Sequence, residues 1–344
     1  MRPGGRAAGD RDHIEVSTLP RFPVPSKMGV PDVLIVGEVH TGLLRGRGPM
    51  SANDAALLVD LMAGEPVLRL ERPRPYVRSP ERPVGVDCPL GAVASARQIR
   101  GIGTVLQRAA ITGGHIVQGT AWATLTPAAG SARQPWSHYL ARPGVIEAVG
   151  RVRPAELADA FAAPARDPAA LDLGDVAGRA SDAVQSAVPA DGRPRERLRL
   201  PRTRLRFVVE QAETAGPLHY TVPDDRLRVL RVALPADAEP RLLVAFAEDL
   251  ALHDWLLTSV IGIVERAEIG VLPFGESLRR LRPAVDHLLH LWLPGRRGGD
   301  LARGLWTALE RQEALSDQWR LLRDRIRDQV ALAAVEALAG EPAR

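Results

Sequence analysis

Pro235 separates two stretches of unlike character, and that change limits the folds open to the chain. Beyond it, residues 239–269, 276–293, 301–313 and 317–339 carry apolar side chains at the 3.6-residue period of amphipathic helices, with few breakers. In the last of them Trp319, Leu322, Ile326, Val330 and Ala333 fall on one face, opposite Arg320, Arg323, Asp324 and Arg327. Ahead of Pro235 the apolar runs are short, rich in β-branched residues and punctuated by Gly and Pro. The pattern predicts an α+β protein: a β-rich N-terminal half with a hairpin-containing sheet, then a helical C-terminal half. Residues 1–30, rich in Gly, Pro and Arg without periodicity, read as a disordered tail. Residues 31–235 form the α+β region and 236–344 the helical region, in two domains or one continuous one. Either Met1 or Met28 fits as the start codon.

Local signals place the elements. Asp32–Val36 predicts a buried strand ending at Gly37, and Ser51–Ala63 a helix with Ser51 as N-cap, Asp54 three residues on and Gly64 as the stop. Prolines at 73, 75, 80, 83 and 89 exclude a helix over 72–89 and favour extended loop or edge strand. Gly103–Ile111 and His115–Thr126, joined by Thr112-Gly113-Gly114, predict a hairpin. Residues 136–153 are broken by Pro and Gly. Helical pieces follow at 154–162 and 174–187, and strands at 203–210 and 226–234.

Composition narrows the class. The net charge is +4 and Lys27 is the only lysine, so the basicity is arginine and its excess over 41 acidic residues is small. The single cysteine excludes an intramolecular disulfide and fits a reducing, cytoplasmic setting. No apolar core follows the early arginines, so a signal peptide is not expected. The strongest apolar run, Trp255–Val264, is about half the ~20 residues a membrane helix needs. A buried helix is expected, and no membrane partner.

Chemistry is most legible at Gly37-Glu38-Val39-His40. Two residues apart at a strand end, Glu38 and His40 aim to one side, where a carboxylate beside an imidazole can bind a metal or share acid–base work. Gly37, Glu38 and His40 match the Gly-Glu-x-His signature and so resemble the erythromycin-esterase, ChaN-like and TraB/Tiki hydrolase group. That resemblance implies a hydrolytic or haem-binding centre with Glu38 and His40 as its catalytic pair, over about ten residues of the 344. A turn-capping Glu38 with a half-exposed His40 fits the same residues.

Trp136, His138, Tyr139 and Arg142 crowd seven positions of an aromatic-poor chain, as a pocket for an anionic or planar ligand or as a plug over the sheet end. Cys88 follows Asp87, which raises a thiol pKa, so a structural cysteine is expected. His287 and His290 share a helical face without an accompanying Glu-x-x-His, and no metal site is assigned.

Arg193, Arg195, Arg197, Arg199, Arg202, Arg204 and Arg206 fall within fourteen residues, opposed by Glu196, and Arg226 and Arg228 follow on the next strand. If these strands pair, Arg199, Arg202, Arg204, Arg206, Arg226 and Arg228 can share a face that contacts an anionic partner. A solvated linker and edge strand fits as well. Nucleic acid is not favoured, because stacking aromatics are missing from the segment. Walker A, dinucleotide, His-Glu-x-x-His, paired-cysteine zinc and Gly-x-Ser-x-Gly motifs are all absent.

On a larger scale Val36–His40, Gly85–Leu90, Arg100–Thr104, Pro135–Val145, Glu248–Leu257, Leu281–Trp292 and Arg325–Gln329 resemble an actinobacterial, streptomycete-type protein family. The likeness runs from about residue 30 to the C-terminus and carries no activity with it. It implies neighbours of P-loop-like and methyltransferase-like type as protein partners, and hence an accessory or interaction component of a multiprotein system. A Glu38/His40 hydrolase or metal-binding enzyme is the alternative. No cofactor is assigned.

Overall fold

Gly37 does not end the first strand. In the computed structural model β1 runs Leu34–Leu43, straight through Gly37, Glu38 and His40, and is paired on both sides along its length. The model describes residues 33–340 apart from 46–47, 63, 93–97, 131, 151, 165–166, 189–199, 236 and 298. The tail assigned to 1–30, both start-codon candidates and Arg193, Arg195, Arg197 and Arg199 therefore lie outside the described residues. The strand continues because the missing Cβ of Gly37 leaves room for the Phe207 ring on the neighbouring strand.

Helix α1 (Ala52–Val59) is capped as expected: the Ser51 hydroxyl accepts from the Asp54 amide at 3.1 Å. It stops at Val59, short of Gly64. A short strand β2 (Leu68–Leu70) precedes the proline-rich stretch, which becomes β3 (Tyr76–Arg78) and most of β4 (Arg82–Ala92). Strands β5 (Gln98–Thr112) and β6 (Ile116–Pro127) form the hairpin, closed by the Thr112–Ile116 pair with Gly113 and Gly114 at positive φ. The broken stretch holds the short helix α2 (Trp136–Leu140) and β7 (Val145–Val149). Helices α3 (Pro154–Ala162) and α4 (Leu173–Ala187) precede β8 (Thr203–Gln211), β9 (Leu218–Thr221) and β10 (Leu227–Leu234). The helical half is α5 (Pro240–Arg266), α6 (Phe274–His287), a 3₁₀ turn at Leu289–Leu291, α7 (Gly299–Glu313) and α8 (Leu315–Gly340).

The fold is α+β, with all ten described strands in one mixed sheet ordered β2-β3-β5-β7-β6-β1-β8-β10-β9 and β4 beside β5. β1 is central and antiparallel to β6 and β8; β10 runs parallel to β8. Both faces are covered. Ile35, Val39, Leu205, Phe207 and Val209 point toward α5 and the helices packed on it. Leu34, Val36, Ala121, Ala123 and Val208 point the other way, onto α3 and α4. The period-2 alternation of β1 thus sends Glu38 and His40 to the α4 side. Among the described residues no helix is long and apolar enough to cross a membrane.

Candidate functional site

Glu38 is fully buried in mid-strand, so the ligand position beyond a strand's carboxyl end does not apply to it. Arg206, directly opposite on β8, donates from Nε to Oε2 at 3.2 Å, and Arg204 brings Nη1 to 4.0 Å from Oε1. Helix α4 seals the carboxylate from above. Gly174 in its first turn leaves only enough room for Oε1, since a Cβ there would stand 2.7 Å away. The positive end of the helix dipole adds a favourable field for the anion. His40 does lie beside Glu38, Nε2 to Oε1 at 3.4 Å, and keeps 16% side-chain exposure under Gly178.

Among the described residues, the other histidines do not join this pair. His115 lies at the hairpin turn, its ring nitrogens 2.7 Å from the Gly113 carbonyl and 2.8 Å from that of His287. His138 bonds Glu147, and His219 is exposed on β9. His290 titrates below the ordinary range, through burial and then the neighbouring His287. No group of three or more His, Cys, Asp or Glu able to hold a metal occurs among the described residues. The Cys88 thiol, half-buried on β4, is pushed up by burial and then by Asp87.

The aromatic segment centres on Glu147 of β7. His138 Nε2 lies 2.9 Å from its Oε1, and Arg142 ion-pairs with the same oxygen. Burial opposes the charge on Glu147, but these two partners outweigh it and hold the carboxyl below its usual range. Tyr139 is buried, its hydroxyl accepting from the Gln134 amide at 3.0 Å, with Trp136 and His138 edge-on against its ring. Trp136 lies over Gly85 of β4 with Arg133 stacked at 5.3 Å. These contacts pin residues 133–142 across β4 and β7, as a plug does. Arg142 is committed to Glu147.

The arginine segment does not make one face. β8 and β10 pair, but in a parallel register that puts Arg228 beside Leu205 on the α5 side, while Arg204 and Arg206 face α4. Arg228 is buried against Asp254 at 2.7 Å and Thr258 at 2.9 Å. Arg202 pairs with Asp182 of α4 at 2.7 Å, and Arg226 is exposed. The alternation that separates apolar from polar side chains also separates these cations, so no joint anion platform arises from the described ones.

The largest cluster of buried charge lies between α5 and the sheet. Arg108 of β5 grips Glu248 with two hydrogen bonds, Nε to Oε1 at 2.7 Å and Nη2 to Oε2 at 2.9 Å, and reaches Glu81 at 2.9 Å. Thr120 donates to the same carboxylate at 2.7 Å. Burial opposes both charges, yet mutual attraction and hydrogen bonding win. Glu248 is held below, and Arg108 above, the ordinary range. Asp249 accepts from Arg74 at 3.4 Å and from the Gly295 amide at 2.8 Å; Asp254 accepts from the Tyr220 hydroxyl at 2.7 Å besides meeting Arg228. Three carboxylates of one helix thus meet three arginines from the sheet layer. His253, wholly buried, has Nδ1 2.6 Å from the Asp249 carbonyl while Nε2 accepts from the Leu293 amide at 3.1 Å. That pattern requires the neutral Nδ1–H form, and burial pushes its pKa down to about 4. The signal in the sequence is a set of ionisable residues, Glu248, Asp249, His253 and Asp254, on the helix that carries the strongest apolar run, Trp255–Val264.

Fold and site define an α+β protein with a helix-covered mixed sheet whose ionisable core groups are matched to one another. Comparisons with protein-family models, with curated proteins and with solved structures each returned no match.

Proposed function

We propose that this chain is a binding component of a multiprotein actinobacterial assembly, docking an amphipathic helix of a partner protein onto the second half of α8. One observation carries the reading. Past Ile326 no described side chain of α8 is buried, and Val330, Leu332 and Val335 are 40%, 53% and 62% exposed. The helix continues to Gly340, about 20 Å beyond that last buried residue at 1.5 Å per residue. A helix end of this length is marginal in water by itself, and a partner's apolar face would support it. The flanking arginines do not call for an acidic partner, because Arg320 and Arg323 pair with Asp317 and Asp324 of the same helix. P-loop-like and methyltransferase-like neighbours remain the proposed partners, in the cytoplasm.

The enzymatic alternative, a Glu38/His40 hydrolase or metal centre, is supported by the 3.4 Å approach of the two side chains. Burial of Glu38 and its pairing with Arg206 support a structural role instead.

The test is purification of the tagged full chain from its host, beside a Leu332→Glu/Val335→Glu variant. Stoichiometric recovery of one same polypeptide with the parent, and its loss with the variant, supports docking on α8. A monomer without companions, a self-association that the variant abolishes, or a partner held equally by both proteins speaks against it. Metal analysis of the parent beside Glu38→Gln/His40→Ala addresses the alternative.

A further inference from the structure

A groove of about 600 Å³ opens on the α4 face of the sheet, between the end of α1, strand β4 and helix α4. Leu61, Met62, Pro83 and Val84 give it apolar walls, and among the described residues its lining contains three arginines and no carboxylate. Arg108 at one side is already neutralised by Glu248 and Glu81. Arg82 of β4 and Arg179 of α4 are different: among the described residues neither guanidinium has an ion-pair or hydrogen-bond partner. By contrast Arg142, Arg202, Arg204, Arg206 and Arg228 each lie within 4.0 Å of a carboxylate.

We infer that this groove binds a small organic anion, with a carboxylate or phosphate head between Arg82 and Arg179 and an apolar body against Leu61, Met62 and Val84. The volume lies within the roughly 300–1,000 Å³ of small-molecule sites, and an apolar lining with a few charged groups is their usual composition. Guanidinium forks favour planar or tetrahedral oxyanions over other ligands. With no acidic residue among the described lining, the ligand supplies the counter-charge. The site does not depend on α8 or on any partner.

Calorimetric titration of the full chain with n-octyl phosphate, octanoate, octanol and inorganic phosphate tests this. Octyl phosphate or octanoate binds at one site, and Arg179→Glu and Arg82→Glu each weaken it at least about tenfold, the scale of one charge-assisted hydrogen bond. Arg179→Lys, which keeps the charge and loses the fork, falls between the parent and Arg179→Glu. Arg320→Glu, an exposed arginine of α8, leaves it unchanged. Circular dichroism checks that each variant folds. Absence of binding by both anionic amphiphiles overturns the inference. So does octanol binding as tightly as they do, an Arg179→Glu variant with parental affinity, or an equal loss from Arg320→Glu. Inorganic phosphate binding as tightly as the amphiphiles overturns the role of the apolar walls.

Discussion

Arg108 and Glu248, 140 residues apart, meet through two hydrogen bonds of 2.7 and 2.9 Å in a region where both side chains are 1% exposed. Removing one partner strands a charge. Arg108→Met is expected to cost about 3–5 kcal/mol in urea denaturation, because Glu248 stays buried with only Thr120 to satisfy it. The double variant Arg108→Met/Glu248→Met recovers much of that loss, since a well-packed apolar pair of similar volume is often neutral. A double variant as unstable as the single would mean that packing, and not the stranded charge, sets the cost.

Arg206 has the same role for Glu38. Arg206→Met is expected to lower stability by about 3 kcal/mol, the lower end for a broken buried pair, because Arg204 at 4.0 Å offers partial compensation. His40→Ala, at the edge of the cluster, changes stability by about 1 kcal/mol or less. Equal effects of the two substitutions in chemical denaturation would contradict the arrangement.

His253 makes stability depend on pH. Its pKa is about 4 in the folded chain against 6.5 for the ordinary side chain, so between these values the unfolded state binds a proton that the folded state refuses. Stability therefore falls as pH drops from about 6.5 to about 4, by about 3 kcal/mol from this group. His253→Gln removes most of that slope. Denaturation midpoints across the range, compared between parent and variant, measure it.

Gly119 of β6 lies directly under α4. A Cβ there would fall on the Ala177 carbonyl oxygen and within 2.8 Å of the Ser181 amide nitrogen, both backbone atoms of the helix. Gly119→Ala is expected to lose about 1–3 kcal/mol by forcing α4 off the sheet, thereby also loosening the cover over Glu38. Gly275→Ala, in the first turn of α6 with open space around it, shifts stability by about 1 kcal/mol at most. Thermal melts of the two variants give the comparison.

Much of the fold was legible. The four C-terminal helices, the β5–β6 hairpin, the Ser51 cap and the two helices before β8 all rest on signals a few residues wide. Three strands were not read, among them β2, whose three residues precede the proline-rich stretch. β7 is hidden in a stretch broken by Pro and Gly, and β9 has four residues after a proline, too few for alternation to register. Gly37 misled as a strand end because its lack of a Cβ serves the Phe207 ring, a requirement set from the next strand. Pairing of Glu38 with His40 was legible from their two-residue spacing; enclosure by Arg206 and Gly174 was not.

By itself the sequence determined most of the helices and the longer strands, and therefore the α+β class, because periodicity, caps and breakers act between residues that are near neighbours in the chain. The tertiary structure alone decided which charges meet. Glu38 and Arg206 are 168 residues apart, Arg74 and Asp249 are 175, and nothing local couples them. Burial then changes what each group can do: a carboxylate enclosed with a guanidinium holds the sheet to its helices, while Arg82 and Arg179, left on the wall of an open groove, keep their charge for something else.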